Sequence, residues 1–505
     1  MPGALQGLLA LLAGAALPLA FAPLNLLPLA FLAPAVLFRL WLDAPPRRAA
    51  LLGFLFGLGQ FGVGVSWVYV AIHDVGGSAA PVAVLLTALL VIFLALYPAL
   101  AGGLAARLRG SRPVLWLLLV VPAVWTGVEW LRGWLFTGFT WLQLGYSQID
   151  LPLAGLAPWL GVYGVSWATA ISAALLVAAV RWAGRRRIGA LIALGALWLL
   201  AFAAGRPEWS QPVGEPLRVA LVQGNVPQIT KWDPEQIRIR LDTYAKLTRS
   251  NWNHDLILWP ENALTLFYHR LEADYLRPLA EEGKAHGATL IIGVPIEDQA
   301  TGAYWTTLAV LGDPPRFYRK RHLVPFGEYI PLGSVLRRLV DFFNLPMTGF
   351  SPGAPDQPPL EAAGQKLAPS ICYEDAFGEE LLDFLPESTV LVNGSNNAWY
   401  GDSFAPHQHL QINRMRSLET ARPMLRVTTN GISAIVDHHG LVRARSRQFE
   451  AAVLTGTIQP RTGATPYVRF GNIPVVFLLF LAALTGLVLG HKSPRRPWTG
   501  SALDG

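Results

Sequence analysis

The sequence predicts an α/β domain carried by an all-α membrane part, a polytopic bundle of about eight transmembrane helices. Three observations predict it. Of the 505 residues, 52% are hydrophobic and only 14% charged, whereas soluble domains average roughly 25% charged residues. The apolar residues are concentrated in blocks over 1–204 and again over 473–490, while 206–470 has the composition of a soluble domain. Within that middle stretch, β-branched runs alternate with helical patterns. The expected organisation is a membrane domain over 1–205, an α/β domain over 206–470, and a last span with its tail over 471–505.

The candidate spans are about 5–21, 24–41, 49–72, 80–104, 114–136, 153–180, 188–204 and 473–490. Most reach the ~20 residues a bilayer requires; the second and seventh are short. Arg47 and Arg48 follow the second span, Arg107, Arg109 and Arg112 the fourth, Arg181 and Arg185 to Arg187 the sixth, and Lys492, Arg495 and Arg496 the eighth. The short loops after spans one, three and five carry no Lys or Arg. Basic loops stay in the cytoplasm, so both termini are expected inside and 206–470 on the far side. The net charge of +7 is thus a topology signal, and no nucleic-acid motif accompanies it. Ala20-Phe21-Ala22 has the form of a cleavage site, but no positive n-region precedes it, so the first block is expected to stay uncleaved. In the fifth span, Glu129 and Arg132 fall at i and i+3. They pair as structural charges near a helix end or form a polar wall for a lipid headgroup.

The middle domain is long enough for one large fold. Strands are expected at RVALVQGN (218–225), DLILWPEN (255–262), TLIIGVP (289–295), YWTTLAVLG (304–312), APSICYED (368–375), TVLVNGSN (389–396), LRVTTNGISAIVD (425–437) and VLTGTI (453–458). Helices are expected at 234–250, 271–286, 376–384 and 407–421. Several late strands have no helix between them, which argues for a layered sandwich rather than a simple doubly wound sheet.

Cys372 is the sole cysteine. This excludes an intrachain disulfide and a cysteine metal cluster. It is either a small buried apolar residue or a nucleophile, and a nucleophile needs a base and a cation near it. Glu261 (LWPEN) and Lys320 (YRKRHLVPFGEY) supply both. Each alone reads blandly, as a turn residue and as one charge of a solvated run. Together with Cys372 and Asn393 to Asn397 at predicted strand ends, where ligand chemistry collects in α/β sheets, they make a candidate site. His407 and His409 (HQH) lie two apart on a predicted helix and point to different faces, so metal ligation is not expected there.

LWPENAL, YRKRHLVPFGEYIPL and SICYEDAF, in that order, resemble the Glu-Lys-Cys motifs of the nitrilase superfamily, whose domains are αββα sandwiches. WVYVAIHDVGG (67–77), EWLRGW (129–134), FTGFTWLQLGYSQ (136–148) and QGNVPQ followed by Lys231-Trp232 extend the resemblance over the whole chain to the membrane-embedded branch, the apolipoprotein N-acyltransferases. The resemblance implies Glu261 as general base, Lys320 as oxyanion stabiliser and Cys372 as nucleophile. Trp232, Glu328, Tyr373 and Glu374 would be supporting site residues. It implies transfer of a fatty acyl chain from a phospholipid, through a cysteine thioester, to the N-terminal amine of a diacylglyceryl-cysteine apolipoprotein. The enzyme would sit in a bacterial inner membrane, its catalytic domain periplasmic, and need no cofactor or metal. One departure is that SNNAW places Asn397 where the family commonly has an aspartate. The apolar segment LVDFFNLPMTGF (339–350) reads as a core element or as an arm dipping into lipid over the site.

Two other readings stand beside this one. A membrane-tethered amidase or nitrilase-type hydrolase would use the same three residues with water as acceptor. A transporter with a ligand-binding domain is disfavoured, because the spans show no charge-lined pathway beyond Glu129 and Arg132. Seven spans before the domain exceed what an anchor requires, which favours lipid substrates.

Overall fold

The computed structural model describes residues 3–228, 234–331 and 349–491. The apolar blocks fold as helices, since in lipid every backbone N–H and C=O must be satisfied within the segment. Six helical segments are long and apolar enough to cross a bilayer: Gly3–Ala20, Ala80–Arg107, Pro113–Arg132, Pro152–Arg181, Gly184–Ala204 and Ile473–Gly490. The third expected span is instead a bent pair, Pro46–Gly64 and Trp67–Val75, meeting at 48°. The second is Leu29–Trp41, 13 residues, or ~20 Å, against a hydrocarbon core of ~30 Å. The expected eight therefore become six, or seven if the bent pair counts as one span.

Helices Gly3–Ala16, Pro46–Gly64 and Ala80–Arg107 approach backbone to backbone at glycines. A Cβ on Gly14 would lie 1.9 Å from the Phe56 carbonyl oxygen, and one on Gly53 2.1 Å from that of Pro98. Small residues permit such close packing where lipid removes the hydrophobic drive between helices.

Beyond residue 205 the chain forms strands β1 (Ser210–Pro212), β2 (Leu217–Gln223), β3 (Leu256–Leu258), β4 (Thr289–Glu297), β5 (Tyr304–Val310), β6 (Arg316–Arg319), β7 (Leu360–Ala362), β8 (Gln365–Ile371), β9 (Val390–Ser395), β10 (Met424–Thr428), β11 (Ala434–Val436), β12 (Val442–Arg445), β13 (Ala452–Ile458) and β14 (Arg461–Gly463). One six-stranded sheet has the order β13-β2-β3-β4-β5-β6, the other β12-β11-β10-β9-β8-β7, and β1 pairs with β14 alone. In each large sheet three parallel strands are flanked by antiparallel ones: β2-β3-β4 in the first and β8-β9-β10 in the second. All eight expected strands are present, with 425–437 split into the antiparallel pair β10 and β11. The short strands β1, β6, β7, β12 and β14 had no comparable apolar signal.

Leu221, Leu258, Ile291 and Leu308 of the first sheet meet Ile371, Val392 and Leu425 of the second in one buried core. The outer face of the first sheet is covered by Pro234–Arg249 and the continuous helix 268–285, where Tyr244, Trp259, Leu279 and Ile292 pack together. The outer face of the second sheet is covered by Ala405–Thr420. The result is the expected αββα sandwich.

Helix Ala405–Thr420 also faces the membrane bundle. Ile412 and Met415 belong to the bundle's own core. Gln408 donates to the Gly64 carbonyl and accepts from the Trp67 indole, at the bend of the broken span. Arg414 pairs with Asp150, and Arg416 donates to Tyr146 while pairing with Glu419. The domain is thus fastened to the bundle by its own helix layer.

Close glycine packing sets a clear expectation. Gly53→Val should destabilise the detergent-solubilised protein by about 1–3 kcal/mol or more through overpacking, read as a lower thermal midpoint. Gly62→Val, where a Cβ meets nothing within 4 Å, should leave the midpoint nearly unchanged.

Candidate active site

Glu261 stands just beyond β3 in the segment Trp259-Pro260-Glu261, Lys320 one residue beyond β6, Cys372 one residue beyond β8, and Asn396 one residue beyond β9. Strand ends from both sheets therefore converge, as the sequence anticipated for Glu261, Cys372 and the asparagines. The approach is close at Gly394 of β9, where a Cβ would lie 2.9 Å from Leu308 Cδ2 and 3.4 Å from the Glu261 nitrogen, both on the first sheet's side.

Lys320 is 1% exposed. Its Nζ donates to Glu328 Oε1 at 2.8 Å and to Glu261 Oε1 at 3.3 Å. Glu261 Oε2 accepts from the Asn396 N–H at 2.8 Å, so the carboxylate bridges the two sheets. Glu328 Oε2 accepts from the Val324 N–H at 2.7 Å. Burial opposes the Lys320 charge, but Glu261 and Glu328 outweigh it and hold the ammonium well above the ordinary lysine range. Burial raises Glu328, and Lys320 pulls it back. Burial also pushes the Cys372 thiol up, the nearby Glu261 charge adds to this, and Lys320 offsets part of it. The thiol is thus protonated at rest, in a cluster of two carboxylates and one ammonium.

Cys372 has φ 51°, a left-handed backbone that costs a non-glycine residue about 1–3 kcal/mol. Hydrogen bonds to the following turn, Cys372–Ala376, hold that conformation. Glu374 Oε2 accepts from the Ile371 N–H at 2.6 Å, and Oε1 accepts from the Arg321 and His322 N–H groups at 2.6 and 3.1 Å. Tyr318 donates to both oxygens at 3.0 Å. Glu374 thereby ties the cysteine turn to the segment that follows Lys320. Burial, then the Glu380 charge, push its pKa up to about 7 against the pull of Lys320 and the N–H donors.

Beneath the turn lies a buried polar network that sequence reasoning missed. His409 Nε2 faces the Cys372 carbonyl at 3.2 Å and Asp375 Oδ1 at 2.8 Å. With two acceptors before it, Nε2 carries the proton. Asn393 Nδ2 donates to the same Cys372 carbonyl at 3.3 Å. Arg426 donates to Asn393 at 3.1 Å and to Asn397 at 2.8 Å, and lies 3.6 Å from Asp375. Burial, then Arg426, hold His409 below the usual histidine range. The signal in sequence was the polar face of helix 405–420, which a solvent-exposed reading would have wasted.

Tyr373 stacks on Trp141 (5.6 Å, 14°) and donates to the Gly138 carbonyl at 2.9 Å. That loop is held from below. Arg132 donates to the Phe139 and Trp141 carbonyls at 2.8 and 2.7 Å, while Glu129 accepts from the Leu144 N–H at 3.1 Å. Both charges are buried and serve the 138–144 loop. No salt bridge within 4.0 Å joins them among the described residues; of the two readings, the contacts show neither a bonded pair nor a lipid wall but two anchors of the loop.

Of the residues singled out, Glu261, Lys320, Glu328, Cys372, Tyr373 and Glu374 are brought together around one site. Trp232 lies outside the described residues, as does 339–348 of the apolar segment. Its end is described: the Phe350 N–H donates to the Glu328 carbonyl at 3.1 Å, and the Phe350 ring packs edge-on to Tyr304 at 4.9 Å.

A nitrilase-like sandwich with a buried Glu-Lys-Cys cluster, mounted on a membrane bundle, defines a membrane-embedded member of the carbon–nitrogen hydrolase class. Residues 218–467 match the family model "Carbon-nitrogen hydrolase", and 13–175 match "Apolipoprotein N-acyltransferase N-terminal domain". Apolipoprotein N-acyltransferase from Methylococcus capsulatus is 48% identical over 96% of this chain and 96% of its own. The one from Nitrosomonas europaea is 44% identical over 94% and 96%. The chain belongs to the apolipoprotein N-acyltransferase family. A solved carbon-nitrogen hydrolase from Helicobacter pylori G27 overlaps with 15% identity and TM-score 0.37, covering 48% of this chain and 89% of its own; the fold assignment rests on the family match.

Glu374 gives a pH test. Its folded pKa is raised from 4.5 to about 7. Between those values the unfolded chain has lost a proton that the folded one retains, so stability is greatest below the lower value and falls as pH rises to the upper one. The thermal midpoint of the wild type should drop more steeply over that window than that of Glu374→Gln. Parallel slopes would remove Glu374 as the titrating group.

Proposed function

We propose that the protein transfers a fatty acyl chain from a phospholipid to the α-amine of a lipid-modified N-terminal cysteine on an apolipoprotein, by way of a thioester on Cys372. The observation that carries this reading is the buried cluster of Glu261, Lys320 and Cys372 in a chain of this family. Because the thiol rests protonated, Glu261 acts as general base, taking the Sγ proton as sulfur attacks the ester carbonyl. The oxyanion forms at the Lys320 ammonium and the Tyr373 backbone N–H, with one such donor worth roughly 3–4 kcal/mol. The C–O bond then breaks, and Glu261 returns the proton to the departing lysophospholipid oxygen. In the second half-reaction the neutral amine attacks the thioester, Glu261 accepts its proton, the C–S bond breaks to release the amide, and Glu261 passes that proton to Sγ, which restores the thiol and the free carboxylate. Glu328 holds Lys320, Glu374 holds the cysteine turn, and Tyr373 sets it against the bundle. Trp232 is assigned a supporting role from its motif.

The membrane part supports a lipid donor and acceptor, and a thioester must be kept from water until the amine arrives. The hydrolase alternative shares the cluster but not the need for such a bundle. Domain limits of 1–205, 206–470 and 471–505 fit this division of labour, with the catalytic domain periplasmic and both termini cytoplasmic in a bacterial inner membrane.

The central experiment incubates purified enzyme with phospholipid and weighs the Cys372 peptide. One added acyl chain is expected in the wild type. It should be absent in Cys372→Ala and fall at least ~100-fold in rate in Glu261→Gln and Lys320→Arg, since an amide takes no proton and a planar fork replaces a point charge poorly. Adding a diacylated lipopeptide with a free amine should discharge the acyl group as amide, and the same peptide with a blocked amine should not. Release of free fatty acid at a rate indifferent to the lipopeptide would establish the hydrolase instead.

Topology is tested separately. A reporter active only in the periplasm should work when fused near residue 300 and fail at residue 505, following the placement of Arg and Lys after even-numbered spans. The reverse pattern would overturn the assigned orientation.

A further inference from the structure

The neck through which the chain enters and leaves the extramembrane domain carries a side-chain cluster that the acyl-transfer reading does not use. The chain leaves helix Gly184–Ala204, passes Glu208 into β1, and returns along β14, which pairs with β1. Against this neck lies the turn 437–441 between β11 and β12. Glu208 Oε1 is 3.3 Å from His439 Nε2, and Glu208 Oε2 is 3.4 Å from His438 Nε2. One donor atom from each of the three residues falls within 4.8 Å of the others.

Both partners are pinned. Asp437 Oδ1 accepts from the His439 and Leu441 N–H groups at 2.9 Å, and its Oδ2 accepts from Arg443 at 2.6 Å, which fixes the turn. Gly440 supplies the positive φ of 75°. The two imidazoles are thereby presented side by side, ring centres 3.9 Å apart. Arg461 holds Glu208 Oε2 at 3.2 Å while also donating to Ser210.

The spacing is long for a hydrogen bond, whose donor–acceptor distance runs about 2.7–3.2 Å. The contacts run to the two different oxygens of Glu208, one from each histidine; ligands of one ion bound at ~2.0–2.1 Å with tetrahedral angles stand about 3.3 Å apart, within the 4.8 Å that bounds one donor atom from each residue here. Two imidazoles and one carboxylate are a donor set suited to zinc-like divalent metals. We propose that Glu208, His438 and His439 form a binding site for a divalent transition metal of the zinc type, with water completing its shell, and that the ion clips the neck to the β11–β12 turn. The Arg461 charge beside Glu208 makes this a weaker site than a closed cysteine–histidine cage. It shares no residue with the Glu261–Lys320–Cys372 cluster, so its success or failure leaves the acyl-transfer reading untouched.

The test uses full-length protein in detergent, purified without a polyhistidine tag and stripped with chelator. Titration with Zn²⁺ by calorimetry should show one equivalent bound, weakened at least about tenfold in His438→Ala/His439→Ala and in Glu208→Gln. Cys372→Ala should bind as the wild type does, which excludes the thiol as the ligand. A readout without variants comes from carbethoxylation of histidines followed by peptide mass spectrometry: Zn²⁺ should protect His438 and His439. Binding that persists at wild-type strength in the double variant, no stoichiometric binding, or reactivity of this histidine pair unchanged by Zn²⁺ would overturn the site.

Discussion

The site depends on a single buried ammonium held between two carboxylates. Lys320 is nearly inaccessible and sits between Glu261 and Glu328. Removing either acid would leave a buried charge poorly paired, a cost of several kcal/mol. Burial first, and then the neighbouring Glu261, raise the Cys372 thiol against the pull of Lys320. The same contacts tie the fold together: Glu261 comes from the first sheet, accepts an N–H from the end of β9 in the second, and pairs with a lysine from beyond β6.

The cysteine turn is equally bound to the membrane part. A continuous path of contacts runs from Arg132, through the carbonyls of Phe139 and Trp141, to Tyr373 stacked on Trp141, and so to Cys372. Helix Ala405–Thr420 makes a second path, with Ile412 and Met415 in the bundle core and His409 on the Cys372 carbonyl. Neither path would be needed if the bundle were merely an anchor. Both fix the position of Cys372 relative to the helical bundle.

Much of this was legible in the sequence because the signals were local. β-branched runs of four to eight residues marked every strand of the two sheet centres, and the polar residues ending three of them marked the site. What was not legible depended on tertiary partners. The break near Val65 and Ser66 follows Gly62 and Gly64 in an otherwise unbroken apolar run, and hydropathy alone reads it as one span. Leu29–Trp41 was counted as spanning from composition, while its helix is too short. The separation of Glu129 from Arg132 reflects loop carbonyls and N–H groups that come from residues 139 to 144, which helical spacing cannot foresee. Asp375, His409 and Arg426 are scattered over fifty residues, and only the fold brings them under one turn.

The asparagine at 397 shows how such a network constrains its members. Its side-chain oxygen accepts from Arg426, and its amide nitrogen faces His409 Nδ1 at 3.4 Å. With Nε2 protonated toward Asp375, Nδ1 is an acceptor, so an amide N–H suits it. Arg426 and Asp375 then balance in charge, with a neutral His409 between them, in a space where all are essentially inaccessible. An aspartate at 397 would add a second negative charge beside Arg426 and remove that donor, which favours a proton on His409 Nδ1. Asparagine at this position and a neutral histidine are therefore two parts of one charge balance. The asparagine thus fits the neutral histidine of the scaffold beneath Cys372, and Glu261, Lys320 and Cys372 stand above it.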